Sequence, residues 1–390
     1  MVSDIYQRKR DHIELCHRGD VHPGRHHGLF EELQLIPDAM PELAMDELSL
    51  TTQLLGRPLG APLMVTGMTG GPPEAREINR QLAVLCARYG LPLGVGSQRV
   101  ITKAPESLAS FQVRDVAPDL FLFGNIGVNQ LRSLGVERVV ELVKAMEADA
   151  IAVHLNPAME LVQPGSDADS DFRGGYAAIE ALLAALDGRV LVKECGCGIS
   201  PQVLKRLISI GVPAVDLSGS GGTSWVRVEA LRAEGAEAAL GFLYDDWGIP
   251  TAAATGLAAP VAALHRLAPH HPGEALGTPA EEGSGARCTL IASGGVGDGL
   301  RAAKALALGA DLVGVARPLL QALLSDGPEG AEAFLQSYLR GLRMAMILTG
   351  AQRPHALRMV PRVLGPQLQS WLQQGALGRA EPPVERGEAR

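Results

Sequence analysis

Eight short apolar runs recur along the chain, and each one ends in Gly, Ser, Thr, Asn or His. The runs are rich in Val, Leu, Ile and Ala, a composition typical of strands buried on both faces of a parallel sheet. They begin at Pro62, Leu91, Leu120, Ala150, Arg189, Ala214, Thr289 and Leu312. The pattern therefore predicts eight buried strands.

Between the runs lie segments in which apolar residues recur with a helical period. Gly90, Gly211 and Gly309 end three of these segments, since glycine readily adopts the left-handed conformation that closes a helix. Strands that alternate with helices imply a parallel sheet with crossover helices. Eight such units predict an α/β fold of the closed (β/α)8 TIM barrel type. A doubly wound sheet is the alternative, but it does not require eight strands.

The chain divides into three predicted parts. A polar, charged N-terminal arm covers residues 1–57, the barrel covers 58–350, and a C-terminal helix with a disordered tail covers 351–390. About seventy residues separate the sixth and seventh runs, which predicts an insertion there. Its stretch 268–287 is rich in Pro, Gly and Glu and is interpreted as a solvated surface loop.

Composition narrows the class of protein. The 35 basic and 43 acidic residues give a net charge of −8, which argues against a general nucleic-acid binder. A small phosphorylated ligand held by a few local cations remains compatible with that charge. The hydrophobic content of 46% with 20% charged residues excludes a disordered chain. Because only 4% of residues are aromatic, the core must consist mainly of aliphatic side chains.

The five cysteines form no disulfide framework, which predicts a reducing compartment. We interpret Cys195 and Cys197 as structural, because a C-x-C pair without a second pair is a poor metal signal. Adjacent His26 and His27 are a weak metal signal for which a solvated loop is the favoured interpretation. No apolar segment is long enough to span a bilayer and no signal peptide is evident. We expect a soluble cytoplasmic protein without a membrane partner.

Polar residues end all eight predicted strands. In a barrel of this type the functional groups collect at the C-terminal ends of the strands, so these residues predict one site at one mouth. They are residues 66–71, 97–99, Asn125, His154 with Asn156, Lys193 with Glu194, 218–223, 293–295, and Ala316 with Arg317.

The last two strand ends predict a phosphate site. SGGVGDG at 293–299 and GVARP at 314–318 follow the seventh and eighth strands, and GSGGTS at 219–224 is a further glycine-rich loop. Glycines let backbone N–H groups approach an anion, and a helix N-terminus adds a favourable dipole. Simple turns are the alternative interpretation of these glycines.

Two charged residues are candidates for ligand binding. Lys193 lies inside an apolar strand, where a cation is costly unless it is paired or faces an anion. An ion pair with Glu194 or another acid is one interpretation, and contact with an electron-rich ring or a phosphate is the favoured one. Glu160 follows the fourth strand, and a single carboxylate with water and phosphate oxygens commonly holds Mg²⁺. Taken alone, Glu160 is better interpreted as a surface residue, and its place in this loop makes it a candidate.

These residues belong to a series of motifs in a recognisable order. The motifs are RKRDH at 8–12, MTGG at 68–71, GSQR at 96–99, GNIG at 124–127, HLN at 154–156, VKECGCGIS at 192–200, DLSGSGGTSW at 216–225, DWGIPTA at 246–252, SGG at 293–295 and KALALGAD at 304–311. In these motifs the sequence resembles the type 2 isopentenyl-diphosphate isomerases, the flavin-dependent isomerases of isoprenoid synthesis.

The resemblance implies a TIM barrel that binds FMN, with Mg²⁺ and with NADPH as the reductant of the flavin. The implied flavin contacts are Met68, Thr69, Ser97, Asn125, Lys193, Ser218, Thr223, Gly294, Gly295, Ala316 and Arg317. The implied catalytic positions are His154, Asn156 and Met159, the implied contacts of the substrate diphosphate are Arg8, Lys9 and Arg99, and the implied Mg²⁺ ligand is Glu160.

One position departs from the family pattern. The family has a glutamine directly before the metal-binding glutamate, where this chain has Met159. A thioether cannot donate a hydrogen bond and accepts one only weakly. If another group fills the role, Gln163 is the first candidate. The acidic run that follows in the family is altered at 165–167, and the stretch 268–287 is a lesser departure.

The resemblance implies isomerisation of isopentenyl diphosphate to dimethylallyl diphosphate, a 1,3-allylic proton shift without net redox change. Reduced FMN is implied as the acid and base. Two alternatives stay open. One is a catalytically impaired FMN-binding paralogue, which Met159 suggests. The other is an FMN-dependent 2-hydroxy-acid oxidoreductase, which would need a histidine and an arginine late in the barrel. We expect a homo-oligomer without a nucleic-acid partner.

Overall fold

The computed structural model describes residues 2–24, 28–163, 170–265 and 287–375. The predicted histidine pair His26 and His27, nearly all of the stretch 268–287 and the predicted disordered tail lie outside the described residues. Across the described ranges, no helix combines the length and the apolar character needed to cross a bilayer.

Eight parallel strands form a closed barrel in which the last strand pairs with the first. The strands are β1 (Leu63–Val65), β2 (Leu93–Gly94), β3 (Leu122–Gly127), β4 (Ala150–Leu155), β5 (Val190–Glu194), β6 (Ala214–Asp216), β7 (Thr289–Ala292) and β8 (Leu312–Val315). Each strand lies inside one of the eight apolar runs. The predicted TIM barrel is confirmed.

The described residues form fourteen α-helices. They are α1 (Val2–Arg18), α2 (Glu74–Tyr89), α3 (Arg99–Lys103), α4 (Val128–Leu134), α5 (Val136–Ala145), α6 (Pro157–Val162), α7 (Gly175–Ala185), α8 (Pro201–Ser209), α9 (Trp225–Arg232), α10 (Gly235–Leu243), α11 (Thr251–Leu264), α12 (Gly299–Ala307), α13 (Arg317–Ile347) and α14 (Pro366–Gln374). The helical segment near 226–240 is not continuous, because the chain breaks between α9 and α10 where Gly235 has a φ of 58°.

Four short strands lie outside the barrel. Leu33–Leu35 pairs antiparallel with Arg362–Leu364, and Thr52–Leu54 forms a hairpin with Arg57–Leu59. The predicted boundary between residues 57 and 58 falls inside this hairpin. Leu54 and Leu59 of the hairpin pack with the residues that fill the lower barrel, so the hairpin belongs to the barrel rather than to the arm.

The interior of the barrel changes from apolar to polar along its axis. Phe123, Ala152, Leu191, Ala214 and Ile291 belong to one apolar cluster that fills the lower half. Alternate residues of a strand point to the same side, so the next inward positions lie two residues further along each strand. Those positions are Asn125, His154, Lys193, Asp216 and Ser293. The apolar layer thus forms the floor of a polar site at the C-terminal mouth.

Candidate active site

A first cavity opens at the ends of β5 to β8 and β1. It has about 940 Å³ of empty space, part of which is open to solvent. Among the described residues that line it there are four basic side chains and no carboxylate: His22, Lys193, Arg301 and Arg317. The cavity therefore suits an anionic ligand.

Backbone packs directly on backbone where the glycine loops meet in this cavity. Gly294 and Gly295 have φ values of 93° and 79°, and a Cβ on Gly222 would lie 2.6 Å from the nitrogen of Gly295. A side chain at any of the three positions would break this contact. The loops after β6 and β7 can therefore present bare peptide groups to a ligand. The N-terminus of α13 begins at Arg317 beside them.

A second cavity of about 850 Å³ lies between α1 and the ends of β2 to β5. It is lined by the cationic residues Arg8, Lys9, Arg99 and Lys193, and Glu160 is the single carboxylate among its described lining residues. The two cavities share a wall made of Gly67, Met68, Lys193, Cys195 and Trp225. The two cavities are therefore direct neighbours.

Lys193 stands at this shared wall. Its Nζ donates to the carbonyl oxygen of Glu194 at 2.6 Å and lies 3.5 Å from the Sγ of Cys195. Burial opposes the charge, but Cys195, Asp216 and Glu194 outweigh it and raise the pKa of Lys193. Lys193 is therefore a charged ammonium group inside the barrel mouth.

The carboxylate of Glu194 does not pair with Lys193. It accepts hydrogen bonds from the backbone nitrogens of Gly196, Cys197 and Gly198. Burial raises the pKa of Glu194 to about 7, against the effect of those N–H groups. The side chain thus fixes the loop that carries Cys195, and the charge of Lys193 remains directed toward the cavities.

His154 is neutral and its tautomer is defined by its neighbours. Asn125 donates through Nδ2 to the carbonyl of Val95 at 2.9 Å, so its Oδ1 faces the Nδ1 of His154 at 2.8 Å and must accept from it. Burial, with the charges of Lys193, Lys9 and Arg8, lowers the pKa of His154 to about 3. The Nε2 of His154 consequently carries a lone pair.

Glu160 on α6 is 3% exposed. Asn156 donates through Nδ2 to its Oε1 at 2.9 Å, and the same Nδ2 lies 3.7 Å from the Sδ of Met159. The Oε2 of Glu160 is buried and has no hydrogen-bond partner among the described residues. A buried carboxylate oxygen without a donor fits a cation.

Helix α1 places the side chains of Arg8 and Lys9 at the second cavity. Burial and the charges of Arg8 and Arg99 lower the pKa of Lys9 to about 7, while Glu229 opposes that shift. Within the described part of the chain no hydrogen bond or ion pair reaches the Nζ of Lys9. The site thus concentrates positive charge that an anionic ligand would stabilise.

Glu229 on α9 holds helix α1 in place through its side-chain contacts. Its side chain is fully buried and lies 2.9 Å from the Nε2 of His12, 3.7 Å from the Nε of Arg8 and 2.6 Å from a nitrogen of Arg232. Burial alone would raise the pKa of Glu229, but His12 and the two arginines lower it to about 2. The ring of His12 also meets Trp225 edge-on at 5.1 Å.

The C-terminal end of α1 is held at the first cavity. Arg317 donates to the carbonyl oxygens of Cys16 at 3.0 Å and Gly19 at 3.2 Å, and Gln321 donates to that of His17 at 2.9 Å. A cation at the end of a helix also opposes the partial negative charge there. Helix α1 therefore lines the second cavity, and its C-terminal end is attached to Arg317 and Gln321, which line the first.

The structure brings nearly all predicted site residues to the two cavities. The first is lined by Met68, Lys193, Ser218, Thr223, Gly294, Gly295, Ala316 and Arg317. The second is lined by Arg8, Lys9, Met68, Ser97, Arg99, Asn125, His154, Asn156, Met159, Glu160 and Lys193.

Thr69 departs from this arrangement. It lines neither of the two cavities, and its hydroxyl donates to the Oδ1 of Asn79 at 2.5 Å. The hydroxyl thus points into the α2 packing, and the implied flavin contact of Thr69 stays a prediction of the sequence. Gln163 is buried and also lies outside the lining of both cavities.

Sequence reasoning missed Glu229, His12, Trp225 and Cys195 as parts of the site. His12, Trp225 and Cys195 lie within quoted motifs, but His12 and Trp225 were given no role and Cys195 was interpreted as structural. Glu229 looks like an ordinary surface acid of a short helix. The available signal was its spacing, since residues four apart share one helix face and Trp225 precedes it by four.

Comparisons with known proteins agree with this geometry. Residues 156–360 match the family of FMN-dependent dehydrogenases. The chain is 39% identical over 378 residues to isopentenyl-diphosphate delta-isomerase of Pyrococcus furiosus. The aligned region covers 94% of this chain and 89% of that protein. It is 41% identical over 367 residues to the protein of the same name from Synechococcus sp., covering 93% and 97%.

A solved structure of mandelate oxidase with (S)-2-phenylpropionate superimposes with a TM-score of 0.60 at 18% identity, covering 93% of this chain and 98% of that one. This likeness concerns the fold. These two isomerases share more than a third of their residues with this chain over most of its length. The predicted family is confirmed, and the chain belongs to the isopentenyl-diphosphate delta-isomerases, a family of isomerases that here uses the FMN-dependent dehydrogenase barrel.

Proposed function

We propose that this chain converts isopentenyl diphosphate to dimethylallyl diphosphate with reduced FMN in the first cavity and the substrate in the second. The observation that carries this proposal is the wall that an anion-binding cavity and a cation-rich cavity share at Lys193. Turnover of isopentenyl diphosphate by the protein with FMN and Mg²⁺ under reducing conditions tests it. Flavin binding without turnover would contradict it.

The first cavity fits FMN in charge and shape. Bare peptide groups at Gly294 and Gly295 and the N-terminus of α13 suit the phosphate, and Lys193 would face the isoalloxazine ring. Bound reduced FMN would supply the group that gives and takes the protons. NADPH is proposed only as the source of its electrons.

The second cavity fits a diphosphate with Mg²⁺. The described residues contain no group of three or more His, Cys, Asp and Glu that could hold a metal, so Glu160 would bind Mg²⁺ together with diphosphate oxygens and water. Arg8, Lys9 and Arg99 would bind the remaining phosphate charge through charge-assisted hydrogen bonds.

The chain's own residues would then orient the substrate and exclude water. Asn156 holds Glu160 in place, Asn125 fixes the ring of His154, and Glu229 holds α1 over the diphosphate. Positive charge that builds at the tertiary carbon would lie near the shared wall, where Trp225 offers an aromatic side chain. A homo-oligomeric state and a cytoplasmic location stay predictions of the sequence.

Lys193→Met is expected to weaken FMN binding by about tenfold or more, because it removes a buried cation from the shared wall. Methionine has a similar length, so the packing should be kept. Titration of the apoprotein with FMN, followed by flavin fluorescence, measures the change. The exposed Lys205→Met variant is the control. An unchanged Kd for FMN would remove Lys193 from the flavin site.

Met159→Gln is expected to raise kcat/KM by several-fold to about a hundredfold, with little change in Tm. A glutamine amide can donate to the diphosphate, and a hydrogen bond to a charged group contributes about 1.5–3 kcal/mol. Steady-state kinetics of both forms measure the gain. If neither form turns over isopentenyl diphosphate while both bind FMN, the impaired paralogue becomes the better assignment.

A 2-hydroxy-acid oxidoreductase is not favoured, because it would need a histidine late in the barrel and β7 is followed by Ser293 and two glycines.

A further inference from the structure

Thr251 begins helix α11 and is completely buried behind the glycine loops. Its Oγ1 lies 2.5 Å from the carbonyl oxygen of Gly294, 3.2 Å from that of Ser220 and 3.4 Å from that of Ser293. A hydroxyl has one hydrogen to donate, and the shortest of the three distances is to Gly294. The loops after β6 and β7 thus meet at one side chain that lines neither of the two cavities.

The bond to Gly294 sets the direction of the next peptide N–H. In a trans peptide the C=O and the following N–H point in opposite directions, and the described chain has no cis peptide. A Gly294 carbonyl that faces Thr251 therefore turns the N–H of Gly295 away from it. Among the described residues no acceptor takes a hydrogen bond from this N–H, and both glycines line the first cavity.

Among the described residues, the hydroxyl of Thr251 is the only group that donates a hydrogen bond to the Gly294 carbonyl. Gly294 has a φ of 93° and Gly295 a φ of 79°, so both lie in the left-handed region that favours glycine. The backbone nitrogen of Thr251 donates to Ser220 at 3.0 Å, and any substitution except proline keeps that bond. Removal of the hydroxyl would release Gly294 while the start of α11 stays attached.

We propose that Thr251 is a positioning residue for the phosphate of the flavin, acting through the peptide between Gly294 and Gly295. Its hydroxyl holds the Gly294 carbonyl, and the Gly295 N–H is thereby presented to the phosphate. The inference rests on the proposed placement of FMN in the first cavity. It adds a buried residue that contacts neither the flavin nor the substrate.

The test compares FMN with riboflavin, which lacks the phosphate. Apoprotein of the wild type and of Thr251→Val, Thr251→Ser and Thr255→Val is titrated with each flavin. We expect Thr251→Val to weaken FMN binding by about tenfold and to leave riboflavin binding unchanged. Thr251→Ser keeps the hydroxyl and should keep the FMN affinity. Thr255 is the matched control, because it is equally buried in α11 but donates only to the carbonyl of Thr251.

Two results would overturn the role of Thr251. One is an unchanged FMN affinity in Thr251→Val, and the other is an equal loss for FMN and riboflavin, which would indicate packing alone. If the valine variant does not fold, Thr251→Ala is compared with Thr251→Ser in the same assay. A wild-type protein that binds riboflavin as tightly as FMN would instead contradict the placement of the phosphate.

Discussion

Glu160→Gln is expected to lower kcat/KM for isopentenyl diphosphate by about a hundredfold or more. The Oε2 of Glu160 is buried with no hydrogen-bond partner among the described residues, so a cation is the partner its charge requires. Glutamine keeps the shape and the bond from Asn156 but loses that charge. Substitution of residues that only hydrogen-bond to a metal ligand already lowers metal affinity or activity by about 10–100-fold.

Steady-state kinetics over a range of Mg²⁺ concentrations measure this effect. FMN binding should be unchanged, because Glu160 lines only the second cavity. Glu180→Gln, on the exposed side of α7, is the control for loss of one negative charge. A Glu160→Gln variant with the activity and the Mg²⁺ dependence of the wild type would show that the metal binds elsewhere.

Removal of residues 2–10 is expected to lower kcat/KM by at least a hundredfold while FMN still binds. The truncation deletes Arg8 and Lys9, and each hydrogen bond to a charged group contributes about 1.5–3 kcal/mol. The rest of α1 should stay in place through His12 at Glu229 and through Arg317 at the other end. Kinetics with isopentenyl diphosphate and titration with FMN separate the two cavities.

The dependence of kcat/KM on pH tests how much Lys9 contributes to this loss of activity. With a pKa of about 7 in the free enzyme, Lys9 is charged below that pH and becomes neutral above it. A bound diphosphate favours the charged form, so kcat/KM should fall above pH 7 by up to about tenfold per pH unit. Lys9→Arg stays charged and should remove the fall of kcat/KM above pH 7.

A truncated enzyme with the wild-type kinetics would show that the first ten residues are only a solvated extension.

The barrel was predictable because its signals are local. Each strand needs only a short apolar run, and each run ends in the polar residues that face the mouth, as at His154 and Lys193. The pairing of Leu33–Leu35 with Arg362–Leu364 was not predictable in this way. It joins three-residue segments more than three hundred residues apart, and nothing in either segment specifies the other.

The sequence predicted those residues of the candidate site that lie in or beside a family motif. Arg8, Lys9, Arg99 and Glu160 meet in one cavity as the resemblance implies. Residues that act through other residues left no comparable signal. Thr251 looks like an ordinary first residue of a helix, and its importance depends on loops from two other strands meeting at its hydroxyl.

The two ends of α1 are fastened by different kinds of contact. Arg317 and Gln321 hold backbone carbonyls at the C-terminal end, whereas the N-terminal half depends on side-chain charges such as Arg8 at Glu229. Charge pairs weaken with salt and with a competing anion, and backbone hydrogen bonds do so much less. Salt or added diphosphate is therefore expected to loosen the N-terminal half of α1 before its C-terminal end.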